Sequence, residues 1–238
     1  MKKTKIDWCD CTINPVVGCK NGCPYCYAER INRRFGFVKS WREPEFFPER
    51  LKQLYSKTPK TIFMDSMSDV GWWKPEWGNK VFNAMKENKQ HAYIFLTKNQ
   101  TYPSGFHEIW LLKRLEYGEQ FIFIGKSVTR QIDLELAARY DFFSIEPILE
   151  SIDVKGLRYN LYCKAVIIGA ETGNRKGKVI PKKEWIQDIV KKCDEEHVKV
   201  FMKESLRQLM GDEFRQDKLP WQEYVERKAK NKWTPINI

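Results

Sequence analysis

The sequence predicts an α/β protein in which six to seven mostly parallel strands form a barrel or a partial barrel. Short apolar runs recur along the chain, and stretches with helical periodicity separate them. The runs are rich in β-branched and aromatic residues and read as continuously apolar, which is typical of parallel strands buried on both faces. The predicted number falls short of the eight strands of a closed barrel.

The elements are predicted in the following order. A short first strand over 12–18 is broken by Pro15, and a helix over 27–35 carries Ile31 and Phe35 on one face. Residues 36–60 form an irregular aromatic insert, either a lid or a surface loop anchored by its aromatics. Strands are predicted at 61–66, 92–97, 121–125, 142–146, 165–169 and 198–202, and helices at 76–89 and 182–196.

The tail from about residue 219 has no clear period and is predicted to pack across the barrel, within a single domain over 1–238. The composition, with 42% hydrophobic and 14% aromatic residues, is that of a globular protein. No apolar run approaches the roughly 18 residues that cross a bilayer, and no apolar signal core follows the basic N-terminus. We therefore expect a cytoplasmic protein without a membrane partner.

The net charge of +11 points to a polyanionic partner such as nucleic acid, although lysine-rich surfaces are also common without one. Seven cysteines without a secretion signal argue against a disulfide framework. Four of them are expected to be buried or incidental thiols, with a second metal cluster as the alternative: Cys9, Cys11, Cys163 and Cys193.

The other three cysteines, Cys19, Cys23 and Cys26, share one turn rich in glycine and proline. Thiolates so close in sequence can converge on one metal centre, and sulfur ligands favour zinc or an iron–sulfur cluster. A structural zinc site normally needs four ligands in two pairs, and no second pair follows downstream. Three thiolates can hold three corners of a four-iron cluster and leave one iron open. A structural metal site and plain buried thiols are the alternatives.

The C-x3-C-x2-C spacing, with the aromatic Tyr25 before the last cysteine, resembles the signature of the radical S-adenosylmethionine (radical SAM) superfamily. The resemblance implies an open, partial (β/α) barrel and a [4Fe-4S] cluster held by Cys19, Cys23 and Cys26. It also implies reductive cleavage of S-adenosylmethionine, with electrons from an external donor, and abstraction of hydrogen from a substrate by the resulting 5′-deoxyadenosyl radical.

Polar residues end the predicted strands, where the chemistry of β/α barrels gathers. By the resemblance, Asp65 or Ser66 would bind the amino group of S-adenosylmethionine in place of the Gly-Gly-Glu common in the superfamily. Ser127 and Glu146 are candidates for its ribose or carboxylate. Glu171 ends a segment similar to the one that packs on adenine in many members.

Three further side chains are expected near the cofactor or the substrate. The resemblance implies that Tyr25 lies beside the adenine. Lys98 and Lys203 would either meet an anionic substrate or pair with Glu146 and Glu171.

The whole chain is similar to an uncharacterised radical-SAM-like family common in phages and prophages. The matching pieces include Asn14-Pro15-x-x-Gly18-Cys19, Ser66-Met67-Ser68-Asp69, Leu96-Thr97-Lys98 and Phe201-Met202-Lys203. The Cys23-Pro24-Tyr25-Cys26-Tyr27 stretch also resembles spore photoproduct lyase, which repairs a thymine lesion in DNA. These likenesses and the basic charge imply a nucleic-acid base or nucleotide as substrate. The alternatives are a non-catalytic, metal-stabilised nucleic-acid-binding protein and a radical SAM enzyme acting on a small metabolite or peptide.

Overall fold

The computed structural model of the protein describes residues 3–99, 121–135, 140–154 and 163–231. The chain divides into two compact units. The first comprises Met1–Phe123 and Trp221–Ile238, and the second comprises Ile124–Pro220. The single domain over 1–238 stays a prediction.

The first unit contains five strands among its described residues. They are β1 (Cys11–Thr12), β2 (Val16–Val17), β3 (Glu45–Phe46), β4 (Thr61–Phe63) and β5 (Ala92–Thr97). β1, β4 and β5 lie side by side in this order and run parallel, whereas β2 and β3 form a separate antiparallel pair. The predicted first strand is therefore two strands with different partners. Pro15 separates them because it has no N–H to donate to a sheet ladder.

The second unit carries a run of four parallel strands. β6 (Ile122–Val128), which begins at the end of the first unit, is followed by β7 (Phe142–Ile145), β8 (Ala165–Ile168) and β9 (Lys199–Met202). Every residue of β7 and β8 is buried, as expected for strands covered on both faces. The described residues thus contain seven parallel strands, which confirms the α/β class and is compatible with a partial barrel.

The predicted helices are confirmed with small shifts of their ends. The structure has α1 (Tyr27–Phe35), α2 (Pro75–Lys86), α3 (Gln131–Glu135), α4 (Lys183–Glu195), α5 (Arg207–Met210) and α6 (Pro220–Asn231). Within the described ranges, 3-10 segments lie at Pro48–Tyr55, Val70–Trp72, Glu204–Leu206 and Gly211–Glu213. None of the helices in the described part of the chain has the length and apolar character of a membrane span.

The described part of the tail from about residue 219 contains the helix α6 (Pro220–Asn231), where the sequence predicted no regular element. Trp221 at the start of α6 is fully buried, and its Nε1 donates to the Trp8 carbonyl oxygen at 2.8 Å. Its ring also lies 5.7 Å from that of Phe123, centroid to centroid. The helix is thereby anchored in the core of the first unit.

The aromatic insert is tied to the first unit by burial. Val38 and Trp41 pack with Val17, Ala28 and Met67 in one apolar cluster, and β3 pairs with β2. These contacts support the anchored loop, the second of the two alternatives for residues 36–60.

Helix α1 does not bury its apolar pair. Ile31 and Phe35, the apolar pair that predicted the helix, are exposed, whereas Ala28 and Asn32 are buried. The predicted helix itself is confirmed. The burial of Asn32 in place of a larger apolar residue is possible because its side chain bonds to backbone atoms of the insert.

Candidate metal centre

Cys19, Cys23 and Cys26 lie together in the loop between β2 and α1, here called the cysteine loop (residues 18–26). All three are free thiols and all three are half-buried. Cys26 is also the N-cap of α1. The loop therefore presents three sulfurs at the beginning of a helix, where the aligned peptide dipoles favour negative charge.

Backbone hydrogen bonds pin the start of this loop on both sides. The Gly18 N–H donates to the Met67 carbonyl at 3.0 Å, and the Cys19 N–H donates to the Trp41 carbonyl at 2.8 Å. Gly18 has a φ of 109°, a conformation that favours glycine. The chain thus turns sharply at a fixed point immediately before the first thiol.

Two of the sulfurs accept backbone N–H groups. The Asn21 N–H donates to Cys19 Sγ at 3.5 Å, and the Glu29 N–H donates to Cys26 Sγ at 3.4 Å. Hydrogen bonds of this kind stabilise thiolate ligands and tune the potentials of iron–sulfur clusters. One of these N–H groups belongs to the loop itself, and the other belongs to the first turn of α1.

Two thiols of the loop, Cys19 and Cys23, have raised pKa values in the metal-free protein. Burial raises the pKa of Cys19 to about 12. Burial also raises the pKa of Cys23, and the nearby Lys98 ammonium opposes this shift. Because only thiolates ligate metals, binding of a metal here would release protons.

The cysteine loop supplies three soft donors. Among the described residues, no group of three or more His, Cys, Asp or Glu side chains is arranged to hold one metal ion. Tetrahedral zinc, with Zn–S bonds of about 2.3 Å, would need sulfurs about 3.8 Å apart. A four-iron cluster would take each cysteine on a different iron, with the sulfurs further apart. The identity of the metal group stays a prediction.

Asp69 joins the cysteine loop to the end of β5. Its Oδ2 accepts the Asn21 side-chain amide at 2.6 Å and the Lys98 N–H at 2.8 Å. Its Oδ1 accepts the Thr97 hydroxyl at 2.6 Å and the Gly71 N–H at 2.8 Å. The carboxylate is buried and bonded through both oxygens. It therefore acts as the fixed point to which the middle of the loop is attached.

Aromatic side chains complete this attachment. The Trp72 Nε1 donates to Asn21 Oδ1 at 2.6 Å, so both ends of the Asn21 amide are bonded. The Lys98 ammonium lies 5.5 Å from the centroid of the Tyr25 ring, within cation–π range. Tyr25, predicted to lie beside adenine, is thus half-buried next to a positive charge.

Asn14 makes a second link between the approach to the loop and the end of β4. Its Oδ1 accepts the Ser66 hydroxyl at 3.0 Å and the Met67 N–H at 2.9 Å. The Tyr27 hydroxyl at the start of α1 donates to the Ser66 carbonyl at 2.9 Å. Ser66, a candidate for binding S-adenosylmethionine, is therefore held between the approach and the first helix.

Asp65, the other candidate at the end of β4, is buried and bonded to backbone. Its carboxylate accepts the Leu96 N–H at 3.1 Å and the Val70 N–H at 3.2 Å. Burial raises its pKa well above the usual range of an aspartate. These contacts stabilise the turn after β4, and a role for Asp65 or Ser66 toward S-adenosylmethionine stays a prediction.

The other predicted cofactor residues belong to the second unit. Ser127 is buried on β6, and Glu146 follows β7, where it forms an ion pair with Lys203 after β9. A Cβ at Gly169 would lie 3.0 Å from the Lys203 side chain and 3.2 Å from that of Glu146. The absence of a side chain at Gly169 thus leaves room for the pair. Lys203 was expected either to meet an anionic substrate or to pair with a glutamate, and in the structure it pairs with Glu146.

Glu171 is engaged within its own loop. Its two carboxylate oxygens accept Nε and Nη2 of Arg175 at 2.6 and 2.8 Å, and its side chain is almost fully buried. The Arg175 guanidinium holds the pKa of this carboxyl below its usual value. The predicted adenine-side residue is therefore half of a bidentate ion pair.

Arg175→Ala is expected to lower the free energy of unfolding at neutral pH, because it leaves the Glu171 carboxylate without its partner. Because the pKa of Glu171 is lower in the folded than in the unfolded protein, the ion pair stabilises the fold fully above the usual glutamate pKa of about 4.3. This stabilisation is lost as the pH falls through the pKa of Glu171 in the folded protein. Urea denaturation at neutral and acidic pH measures both effects. Lys176→Ala, an exposed neighbour, is the control. A stability deficit that is equally large in acid would contradict the assignment.

The remaining cysteines match the expectation of buried or incidental thiols. Cys11, Cys163 and Cys193 are buried and Cys9 is half-buried, all as free thiols. Burial raises the pKa of Cys11 to about 11 and that of Cys163 to about 12. Among the described residues, these cysteines do not belong to any group of side chains that could hold a metal ion.

Three residues that organise the cysteine loop had no assigned role in the sequence analysis: Asn14, Asn21 and Trp72. Asn14 and Asn21 flank the first cysteine, and turn-forming asparagines so close to it could have marked them. Nothing in the local sequence points to Trp72, since its contact depends on tertiary packing.

Comparison with known proteins identifies a family and no individual relative. No curated protein and no solved structure matches the chain. One family matches residues 3–230, and it is described as a protein of unknown function, DUF5131. Since this match spans nearly all of the 238 residues, the chain belongs to the DUF5131 family.

Proposed function

We propose that the protein is a radical SAM enzyme in which Cys19, Cys23 and Cys26 hold one [4Fe-4S] cluster. The observation that carries the proposal is the cysteine loop itself. Three free thiols share one short loop, and two of their sulfurs accept backbone N–H groups. Three protein ligands satisfy three irons and leave the fourth for S-adenosylmethionine.

The chemistry that such a group supplies when bound is one-electron reduction of S-adenosylmethionine, whose products after hydrogen abstraction are methionine and 5′-deoxyadenosine. The chain's own residues position the loop. Asp69 and Asn21 fix its middle, and the backbone bonds of Gly18 and Cys19 fix its start. The electrons come from an external donor, and a reducing compartment such as the cytoplasm suits an iron–sulfur protein.

The residues proposed to bind S-adenosylmethionine in the second unit are Ser127, Glu146 and Glu171, and a contact of Tyr25, Asp65 or Ser66 with it stays an expectation from the resemblance. The Glu146–Lys203 pair supports the second group best. It offers one carboxylate and one ammonium, both only partly exposed, at the ends of two strands of the same unit. The amino acid end of S-adenosylmethionine carries the complementary ammonium and carboxylate, and could exchange partners with this pair.

The proposed substrate is a nucleic-acid base or nucleotide, which the net charge of +11 supports. The same charge favours one second candidate, a metal-stabilised nucleic-acid-binding protein without catalysis. The two candidates differ in whether S-adenosylmethionine is cleaved.

Anaerobic reconstitution with iron and sulfide, followed by reduction and assay for 5′-deoxyadenosine, tests the proposal. The wild type is expected to bind about four irons per chain and to form 5′-deoxyadenosine. The Cys19→Ala, Cys23→Ala, Cys26→Ala variant is expected to lose both. Cys9→Ala, which removes a half-buried thiol outside the cysteine loop, is expected to retain both.

A protein that takes up zinc and never cleaves S-adenosylmethionine would refute the enzyme and favour the second candidate. Equal iron content in the triple variant and the wild type would refute the assignment of the ligands.

A further inference from the structure

Helix α1 turns its large apolar side chains to solvent. Tyr27, Ile31 and Phe35 stand four residues apart along one face, with exposures of 46%, 36% and 60%, and Phe37 just beyond the helix is 45% exposed. Several large apolar side chains exposed on one segment are typical of a binding surface.

Hydrogen bonds fix the conformation of the turn that carries Phe35 and Phe37. Gly36, with a φ of 63°, ends the helix and donates its N–H to the Asn32 carbonyl at 2.7 Å. The buried Asn32 side chain then accepts the Val38 N–H at 3.0 Å and donates to the Val38 carbonyl at 3.1 Å. The backbone on both sides of Phe37 is thereby held, and the rings of Phe35 and Phe37 stack 5.9 Å apart, 30° from parallel.

The same segment is strongly basic. Residues 27–43 contain five basic and two acidic residues. Arg30 and Arg34 are exposed, and the Arg34 guanidinium lies 5.2 Å from the centroid of the Phe35 ring. Arg33 pairs with Glu29 on the same helix and is thus partly neutralised. The surface therefore combines exposed rings with positive charge.

We propose that this surface, formed by the exposed face of α1 and the Phe35–Gly36–Phe37 turn and here called the α1 face, binds single-stranded nucleic acid. Bases stack on exposed aromatic rings and phosphates pair with arginine, whereas a duplex hides the faces of its bases. The positive charge complements a phosphate backbone. As a surface for the substrate, the α1 face rests on the proposed function. Binding itself needs no turnover, so it is measured separately from cleavage of S-adenosylmethionine.

Fluorescence anisotropy of the full chain with a labelled single-stranded oligonucleotide of mixed sequence tests the proposal. The Phe35→Ser, Phe37→Ser variant is expected to weaken binding about tenfold or more, since each stacked base contributes about 1–3 kcal/mol. The Arg30→Ala, Arg34→Ala variant is expected to weaken binding and to reduce the salt slope of log K by about 1.4, the loss of two phosphate contacts.

Matched control variants distinguish binding at the α1 face from nonspecific binding through exposed charges or apolar side chains elsewhere on the protein. Ile132→Ser with Ile180→Ser removes two exposed apolar side chains elsewhere, and Lys182→Ala with Lys191→Ala removes two exposed charges. Both controls are expected to bind like the wild type. Equal loss in the controls, or no loss in the α1 variants, would overturn the proposal.

Two other occupants of the surface give distinct outcomes. Binding of anionic phospholipid vesicles but not of oligonucleotide, lost in the Phe35→Ser, Phe37→Ser variant, would replace nucleic acid with a membrane surface. A wild-type dimer that becomes a monomer in this variant, with no oligonucleotide bound by either, would replace it with a second copy of the chain.

Discussion

Asp69→Asn is expected to lower the free energy of unfolding by about 3 kcal/mol and to prevent retention of the proposed iron–sulfur cluster in the cysteine loop. Each Asp69 oxygen accepts two donors in a buried site, so an amide nitrogen in either place would face two N–H or O–H groups. Those buried donors would lose their acceptor, which costs about 1–3 kcal/mol each. Chemical denaturation of the metal-free protein and iron analysis after reconstitution measure the two effects.

Loss of iron alone could follow from unfolding, so a milder variant is needed. Asn21→Ala removes the bonds of the Asn21 side chain to Asp69 and to Trp72, and it leaves the Asp69 contacts to Thr97, Lys98 and Gly71. We expect a loss of stability of about 1 kcal/mol and a large fall in iron retention, with a broadened electron paramagnetic resonance signal from what is retained. Trp72→Phe, which keeps a ring but removes the bond to Asn21 Oδ1, should give an intermediate result. Normal iron content in a folded Asn21→Ala protein would show that Asp69 does not position the loop.

Gly18→Ala is expected to lower the free energy of unfolding by about 3–5 kcal/mol. A Cβ there would lie 2.9 Å from the Pro44 Cα and 3.0 Å from the Trp41 carbonyl oxygen, both backbone atoms that cannot rotate away. The φ of 109° adds backbone strain for any residue with a side chain. The variant should also lose iron, because the displaced Trp41 carbonyl is the acceptor of the Cys19 N–H.

Gly36→Ala is the matched control for the steric part of this effect. Gly36 also has a positive φ, of 63°, but a Cβ there would meet nothing within 4 Å. We expect it to lower the free energy of unfolding by only about 1 kcal/mol, the strain of a left-handed residue. Thermal or urea denaturation of both variants gives the comparison. Equal losses in the two would mean that the close approach of Pro44 and Trp41 is not what requires glycine at position 18.

The strands were predictable because burial on both faces leaves a direct record in the sequence. Runs such as Ala165–Ile168 contain no polar residue, and few other structures tolerate that pattern. Helix α6 was missed although Pro220 suits the first position of a helix, and the spacing of Trp221 and Tyr224 places both on one face. Both features favour a helix that begins at Pro220.

The face of α1 could not be predicted from the same kind of pattern. An apolar pair at helical spacing normally faces the core, and Ile31 and Phe35 do not. The bond of Asn21 to Asp69 was equally hidden, since it joins residues 48 positions apart. Contacts of polar side chains over such distances depend on strand register and on loop geometry, which periodicity does not encode. The three cysteines were evident from sequence, and the residues that hold them were not.

The long sequence separation of these contacts also sets the order of folding. The cysteine loop is fastened by bonds that span 48 residues to Asp69, and its approach by bonds that span 52 residues from Asn14 to Ser66. Asp69 is itself bonded to Thr97, 28 residues further along. Contacts that close such long loops form after local structure, because the loss of chain entropy must first be offset. We therefore expect the thiols to reach their final arrangement only after β4 and β5 have paired, and to be as open to oxidation and to the wrong metal until then as any unfolded cysteine.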